Sequence, residues 1–239
     1  MSVTIIDAKE LLFDDLNNQV RAAQGDVRIE NCIGQRFIAA GRKQGNIYIV
    51  GTPGNALGAY LNGATVTVEG NAQDATGDTM NKGRIVIDGH AGDALGYAMR
   101  GGEIYVRGGS GYRTGIHMKQ YKDLRPIVVV GEATGSFPGE YLAGGLIIIL
   151  NIEGVDIPFG SFAGTGMHGG KIVARAKRLP QDLPRQVAAN PATDADLAEI
   201  AEYVKAFEGY FNVKVPTDFG FFTLTPNAKN PYTQMYTHN

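Results

Sequence analysis

The chain repeats itself every nineteen residues. Gly51, Gly70, Gly89 and Gly108 step by that interval, and so do Gly58, Gly77, Gly96 and Gly115. Between the two glycine series run the apolar pairs Val66/Val68, Ile85/Ile87 and Ile104/Val106, again nineteen apart. Residues i and i+2 lie on one face of a strand, so each copy carries one short strand with a single buried face. Extended outward with insertions, the template takes in Val27/Ile29, Ile47/Ile49, Ile127/Val129, Ile147/Ile149 and Ile172/Ala174, which makes eight copies. Ahead of the strands, Leu61, Met80, Met99, Met118, Leu142 and Met167 share one register and use four of the six methionines. Ala72 and Ala91 share another, as do Ala56, Ala75 and Ala94.

A unit of this size cannot bury an apolar face alone, but identical units can stack. The pattern predicts an all-β solenoid: a right-handed parallel β-helix of about eight coils with short helical caps at both ends. At about 4.8 Å per rung the coils make a rod about 35 Å long. Glycine, 33 of 239 residues against roughly 7% in ordinary proteins, is expected at corners where φ is positive. A flexible glycine-rich linker would not keep aliphatic pairs in phase with its glycines. The Gly-x-Gly spacings at 109–111 and 164–166 open no amphipathic helix after a strand, which argues against a dinucleotide-binding fold.

Three regions are expected: a strand and helix over 1–24, the β-helix over 25–176, and a helix with an extended tail over 177–239. In the first, Asp7 is expected to cap a helix carrying Leu11, Leu12, Leu16 and Val20. In the last, Thr193 or Asp194 caps a helix with Leu197, Ile200, Ala201, Val204 and Phe207 on one stripe. The aromatic tail after it shows no period and is expected to dock on its own solenoid, a second copy or a partner. Deleting 177–239 should then leave a folded solenoid that fails to assemble.

The formal charge of −2 gives no basic stripe for nucleic acid. Cys32 is the one cysteine, which excludes an intrachain disulfide, a thiolate zinc site and an iron–sulfur cluster ligated by this chain alone. No apolar run approaches a membrane span and the N-terminus lacks a signal pattern, so the expected location is the cytoplasm.

Candidate chemistry is sparse. His117 and His168 sit in similar contexts one register position apart, and no third metal ligand falls at matching spacing. Asp74 and Asp93 form an acidic column continuing Asn55; they read either as a turn ladder or, with Arg100 and Arg113 on the same face, as the site of a carbohydrate-active enzyme. Residues 112–126 break the repeat with an insertion rich in Arg113, His117, Lys119, Tyr121, Lys122 and Arg125. These residues, together with Tyr232 and Tyr236 of the tail, form the candidate partner interface, with a solvated loop as the other reading. No catalytic, cofactor-binding or metal-binding residue is assigned.

The repeated GYAMRGGEIYVRG (96–108) and GEYLAGGLIIILN (139–151) resemble the GXGXG β-helix domain at the C-terminal end of the glutamate synthase large subunit. The C-type subunit of formylmethanofuran dehydrogenase is built on similar repeats. The resemblance covers about 25–176. It implies a non-catalytic spacer in a glutamate-synthase-type assembly. FMN and an iron–sulfur cluster belong there to a synthase-like subunit, and an N-terminal cysteine nucleophile to a glutamine amidotransferase-like subunit. Glutamate or N-methylglutamate would be the product. The alternative is the corresponding subunit of a formylmethanofuran dehydrogenase or of its formyltransferase/hydrolase relative.

Overall fold

A computed structural model describes residues 3–227. The elements are β1 (Val3–Asp7), α1 (Phe13–Ala22), β2 (Asp26–Ile33), β3 (Asn46–Thr52), β4 (Asn62–Glu69), β5 (Lys82–Ile87) and β6 (Gly102–Val106), followed by β7 (Pro126–Val130), β8 (Ala143–Ile149), β9 (Gly169–Ala176), β10 (Val187–Pro191), α2 (Asp194–Phe211) and β11 (Gly220–Pro226). One sheet holds all eleven strands in the order β1-β2-β3-β4-β5-β6-β7-β8-β9-β11-β10. Strands β2 to β9 pair in parallel, one per coil, which gives the eight-coil solenoid.

Stacking puts like on like. Ile47, Val66, Ile85 and Ile104 are successive cross-strand partners, and two residues on so are Ile49, Val68, Ile87 and Val106. All are fully buried, as are the six residues of the methionine and leucine column. On the far wall single bridges join Ala72 to Ala91, Ala91 to Ser110, Ser110 to Thr134 and Thr134 to Phe159. At β7 the inward residues are Val128 and Val130, which pair with Ile104 and Val106, so the expected Ile127/Val129 pair is displaced by one residue. That shift turns a side chain to the other face. Both faces of β7 are buried, and an all-aliphatic strand leaves no alternation from which to choose.

Glycine has two separate uses. At Gly77 φ is +75°, and an added Cβ would lie 2.4 Å from Cδ1 of Ile104 on the next coil. At Gly89 φ is not positive; a Cβ there would lie 2.4 Å from the carbonyl oxygen of Gly70. The corner is therefore tight because backbones approach each other, and positive φ is only part of the expected reason. Between these corners each coil carries residues at positive φ that are not glycine. One column is Ala56, Ala75, Ala94, Arg113, Phe137 and Phe162; a second is Tyr60, Thr79, Ala98, His117 and Tyr141. Left-handed backbone costs a non-glycine residue about 1–2 kcal/mol. It persists because, in every coil but the last, these N–H groups reach a carbonyl on the next coil: Ala75 to Asp93 at 2.8 Å, Arg113 to Ser136 at 2.9 Å, His117 to Glu140 at 2.9 Å and Tyr141 to Thr165 at 2.8 Å.

Helix α1 closes the first coil with Leu16, Asn17 and Val20 buried. Asn17 Nδ2 donates to the Arg36 carbonyl, and Arg42 Nη1 donates to the Val20 carbonyl at the helix's open C-terminus. Asp7 does not cap this helix. It ends β1 and accepts from Lys9 N–H and Asn31 Nδ2, while Leu12 precedes the helix without a side-chain cap.

The C-terminal region does more than the expected helical cap. β11, which showed no pattern in sequence, pairs antiparallel with β9 and then with β10, covering the last coil. Helix α2 lies along the outer face of the sheet. Its Ile200, Phe207 and Phe211 pack with Val86, Tyr105, Val129, Ile148 and Val173. Thr193 caps it as expected, in a reciprocal box with Asp196. Removing 177–239 therefore strips an apolar sheet face, and the truncated solenoid is expected to lose solubility as well as assembly.

Candidate functional site

The two positive-φ columns turn side chains outward along one edge of the solenoid, where neighbouring coils stack them. Arg113 lies over the Phe137 ring at 5.1 Å and pairs with Glu140 at 3.0 Å, and Phe137 stacks on Phe162 at 4.9 Å. One column over, the rings of His117 and Tyr141 stack at 5.0 Å and 11°, and Tyr97 meets His117 edge-on at 5.9 Å. A Cβ on Gly166 would fall 2.5 Å from Tyr141, so that glycine gives the tyrosine ring room to lie flat against the backbone. Below these rings a shallow depression is lined by Arg100, Lys119, Ala143 and His168 together with Tyr97, Ala98, His117 and Tyr141. His168 Nδ1 is 3.2 Å from the Gly166 carbonyl oxygen.

The expected insertion is shorter than 112–126. Tyr112 to Met118 follow the regular coil, and β6 to β7 pair with a step of twenty-four, Gly102 with Pro126. The additional residues form a tight turn in which Tyr121 and Leu124 bond to each other in both directions at 3.0 Å, with the Lys122 ammonium 5.3 Å from the Tyr121 ring. Of the candidate interface residues, His117 and Lys119 thus come together in the depression. Arg113 stands on the neighbouring column, and Tyr121 and Lys122 at the turn tip. Arg125 faces inward instead: its guanidinium is 2.5 Å from Glu199 of α2. Tyr232 and Tyr236 lie outside the described residues.

Arg125 belongs to an internal latch. Lys171 of β9 bonds to Asp196 and, at 2.7 Å, to Glu199. Burial works against the Lys171 ammonium, but the two carboxylates outweigh it and raise its pKa. Lys171 and the Thr193 cap hold Asp196 down at about 2. A second clamp lies under the loop after β8. The side chain of Arg175 is 1% exposed, its Nη1 donates to the Asn151 carbonyl at 2.5 Å, its Nη2 pairs with Asp218, and its guanidinium lies 4.8 Å from the Phe219 ring.

The acidic column serves as a turn ladder. Asp74 Oδ1 accepts from Asp93 N–H at 2.9 Å, and Asp93 Oδ1 accepts from Tyr112 N–H at 2.7 Å. His90 does the same one corner away, its Nδ1 accepting from Gly109 N–H at 3.0 Å. Among the described residues no three His, Cys, Asp or Glu side chains group closely enough to hold a metal ion. Cys32 is buried against Gln35, and burial pushes its thiol up to about 11, far from reactive. No helix among the described residues is long and apolar enough to cross a membrane.

An uncharacterized protein of Methanocaldococcus jannaschii is 43% identical over 256 residues, covering 99% of this chain and 97% of its own length. A chain of the formyltransferase/hydrolase complex of Methylorubrum extorquens, solved with methylofuran, shares the fold with a TM-score of 0.62. It is 20% identical, with 87% of this chain and 88% of that chain covered. The family described as GXGXG motif matches residues 9–219, and the chain belongs to it.

Proposed function

We propose that this chain is a non-catalytic scaffold subunit of a glutamate-synthase-type enzyme assembly, spacing a glutamine amidotransferase-like subunit and an FMN-dependent synthase-like subunit that carries the iron–sulfur cluster. One observation carries the reading: the side chains that sequence offered for acid–base work are spent on architecture. Asp74 and Asp93 each accept a backbone N–H from the following coil. Membership of the GXGXG motif family supports it. The chain's contribution is then geometric, a rigid wall that sets the distance between two active sites. The likeness to a chain of the formyltransferase/hydrolase complex favours a second reading, the equivalent subunit of a complex of that class.

The test is affinity isolation of the tagged full chain from its native source, followed by mass spectrometry and a flavin spectrum. Recovery of an FMN protein and an amidotransferase supports the first reading. An amidohydrolase-like partner supports the second, and a chain recovered alone overturns both.

A further inference from the structure

Two solvent-facing columns flank the buried methionine register, and neither carries a carboxylate. One position after it stand Lys43, Asn62, Asn81, Arg100 and Lys119, in the coils of β3 to β7. One position before it stand Gly41, Tyr60, Thr79, Ala98, His117 and Tyr141. Backbone bonds between coils fix the first column: Arg100 N–H donates to the Met80 carbonyl at 2.9 Å and Lys119 N–H to the Met99 carbonyl at 3.0 Å. Register pairing sets Lys82 beside Asn62, and Lys122 stands at the turn tip. The four lysines are exposed and Arg100 is half-buried.

Residues 40–126 contain ten lysines and arginines. Arg84, Arg107, Arg113 and Arg125 each meet a carboxylate, and Arg42 bonds to carbonyls at the end of α1. The other five are the cations of this band, and none of them has an acidic partner among the described residues. Arg100 and Lys119 even occupy adjacent rungs about 4.8 Å apart, where like charges repel. The formal charge of −2 conceals the band. It runs from the coil of Lys43 to that of Lys119, about 19 Å, and its charge matches a carboxylate-rich surface. Tyr60 and Tyr141, 58% and 38% exposed, add the amphipathic rings that protein contacts favour. A nucleic acid would also take cations and rings, but it uses ring faces. Here the faces of His117 and Tyr141 are stacked on each other, which leaves their edges.

We infer that this acid-free band is the docking surface for the acidic face of a protein partner. The inference rests on the scaffold reading and names the side of the solenoid that makes the contact. To test it, the tagged full chain is isolated with its partners from the native source and treated with a water-soluble carbodiimide, which joins an ammonium to a carboxylate without a spacer. Mass spectrometry should place links to another chain at Lys43, Lys82, Lys119 or Lys122, and not at Lys9 or Lys205. The triple variant Lys43→Glu, Lys82→Glu and Lys119→Glu should recover about tenfold less partner, or lower still, at roughly 0.15 M salt. Its melting temperature should stay within about 3 °C of wild type. A partner linked only through other lysines, or retained in full by the folded triple variant, overturns this inference and leaves the scaffold reading standing. Recovery that nuclease abolishes assigns the band to nucleic acid and overturns it as well. A chain isolated alone overturns both.

Discussion

Gly77 and Ala75 test the stacking argument against each other. Both adopt left-handed backbone, with φ of +75° and +56°, two residues apart in one turn. Gly77→Ala costs about 1–2 kcal/mol for the backbone, recovers about 0.4–1 kcal/mol through a stiffer unfolded chain, and adds about 1–3 kcal/mol of overpacking. The last figure applies because the new Cβ would lie 2.4 Å from Ile104 Cδ1. The net loss is about 1–4.6 kcal/mol, with a midpoint of about 2.8 kcal/mol. Ala75→Gly reverses the first two contributions and involves no clash, so it should stay within about 0.5–1 kcal/mol of wild type. Ile104→Val removes the offending Cδ1 at a cost of about 0.5–1.5 kcal/mol by itself. Combined with Gly77→Ala, it should recover about 1 kcal/mol as a coupling energy. Urea midpoints of the wild type and the four variants measure all of this. Equal losses for the two single substitutions, or no coupling with Ile104→Val, would refute the claim that the inter-coil contact fixes this glycine.

Other outcomes follow from the C-terminal region. Glu199→Gln weakens the bonds from Arg125 and Lys171; with these side chains a quarter to a third exposed, the cost is about 1–2 kcal/mol. Amide exchange should rise in α2 while β2 to β4 keep their protection. Asp196, held at about 2 against an ordinary 3.8, stabilises the fold above about pH 4, and that contribution disappears as pH falls toward 2. A pH series of denaturant midpoints should show this loss in wild type and a flatter curve for Asp196→Asn. Truncation at 176 should give a protein that aggregates on expression, since Tyr105, Val129, Ile148 and Val173 lose their cover; a soluble, cooperative fragment would contradict the packing described for α2.

How much is legible depends on whether coils repeat. The eight strands, the methionine column and the Asp74/Asp93 ladder are readable because stacking forces equivalent residues onto one interval. The inward pair of β7 is offset by one residue from its sequence reading since Pro126 to Val130 is apolar on both faces, and its outer face is buried only because α2 returns from seventy residues later. β11 has no local signal at all: its partners β9 and β10 decide that it is a strand. The positive-φ columns run against the preference of Ala, Arg, His, Phe and Tyr, and inter-coil hydrogen bonds override that preference. His117 and Tyr141 are nonetheless findable, because they stand twenty-four apart, the same step as Met118 to Leu142. Comparing His117 with His168 hides the match.

The nineteen-step pairing of β3 through β6 gives the molecule a built-in graduation. Glu69 and Asp88 follow register partners on successive rungs, so excising residues 70–88 rejoins the chain in register, with Thr67 taking the place of Val86 beneath α2. The rod would shorten by a single notch of about 4.8 Å. Whatever grips its two ends would then be drawn together by that amount, so length in such a subunit is adjustable in whole increments.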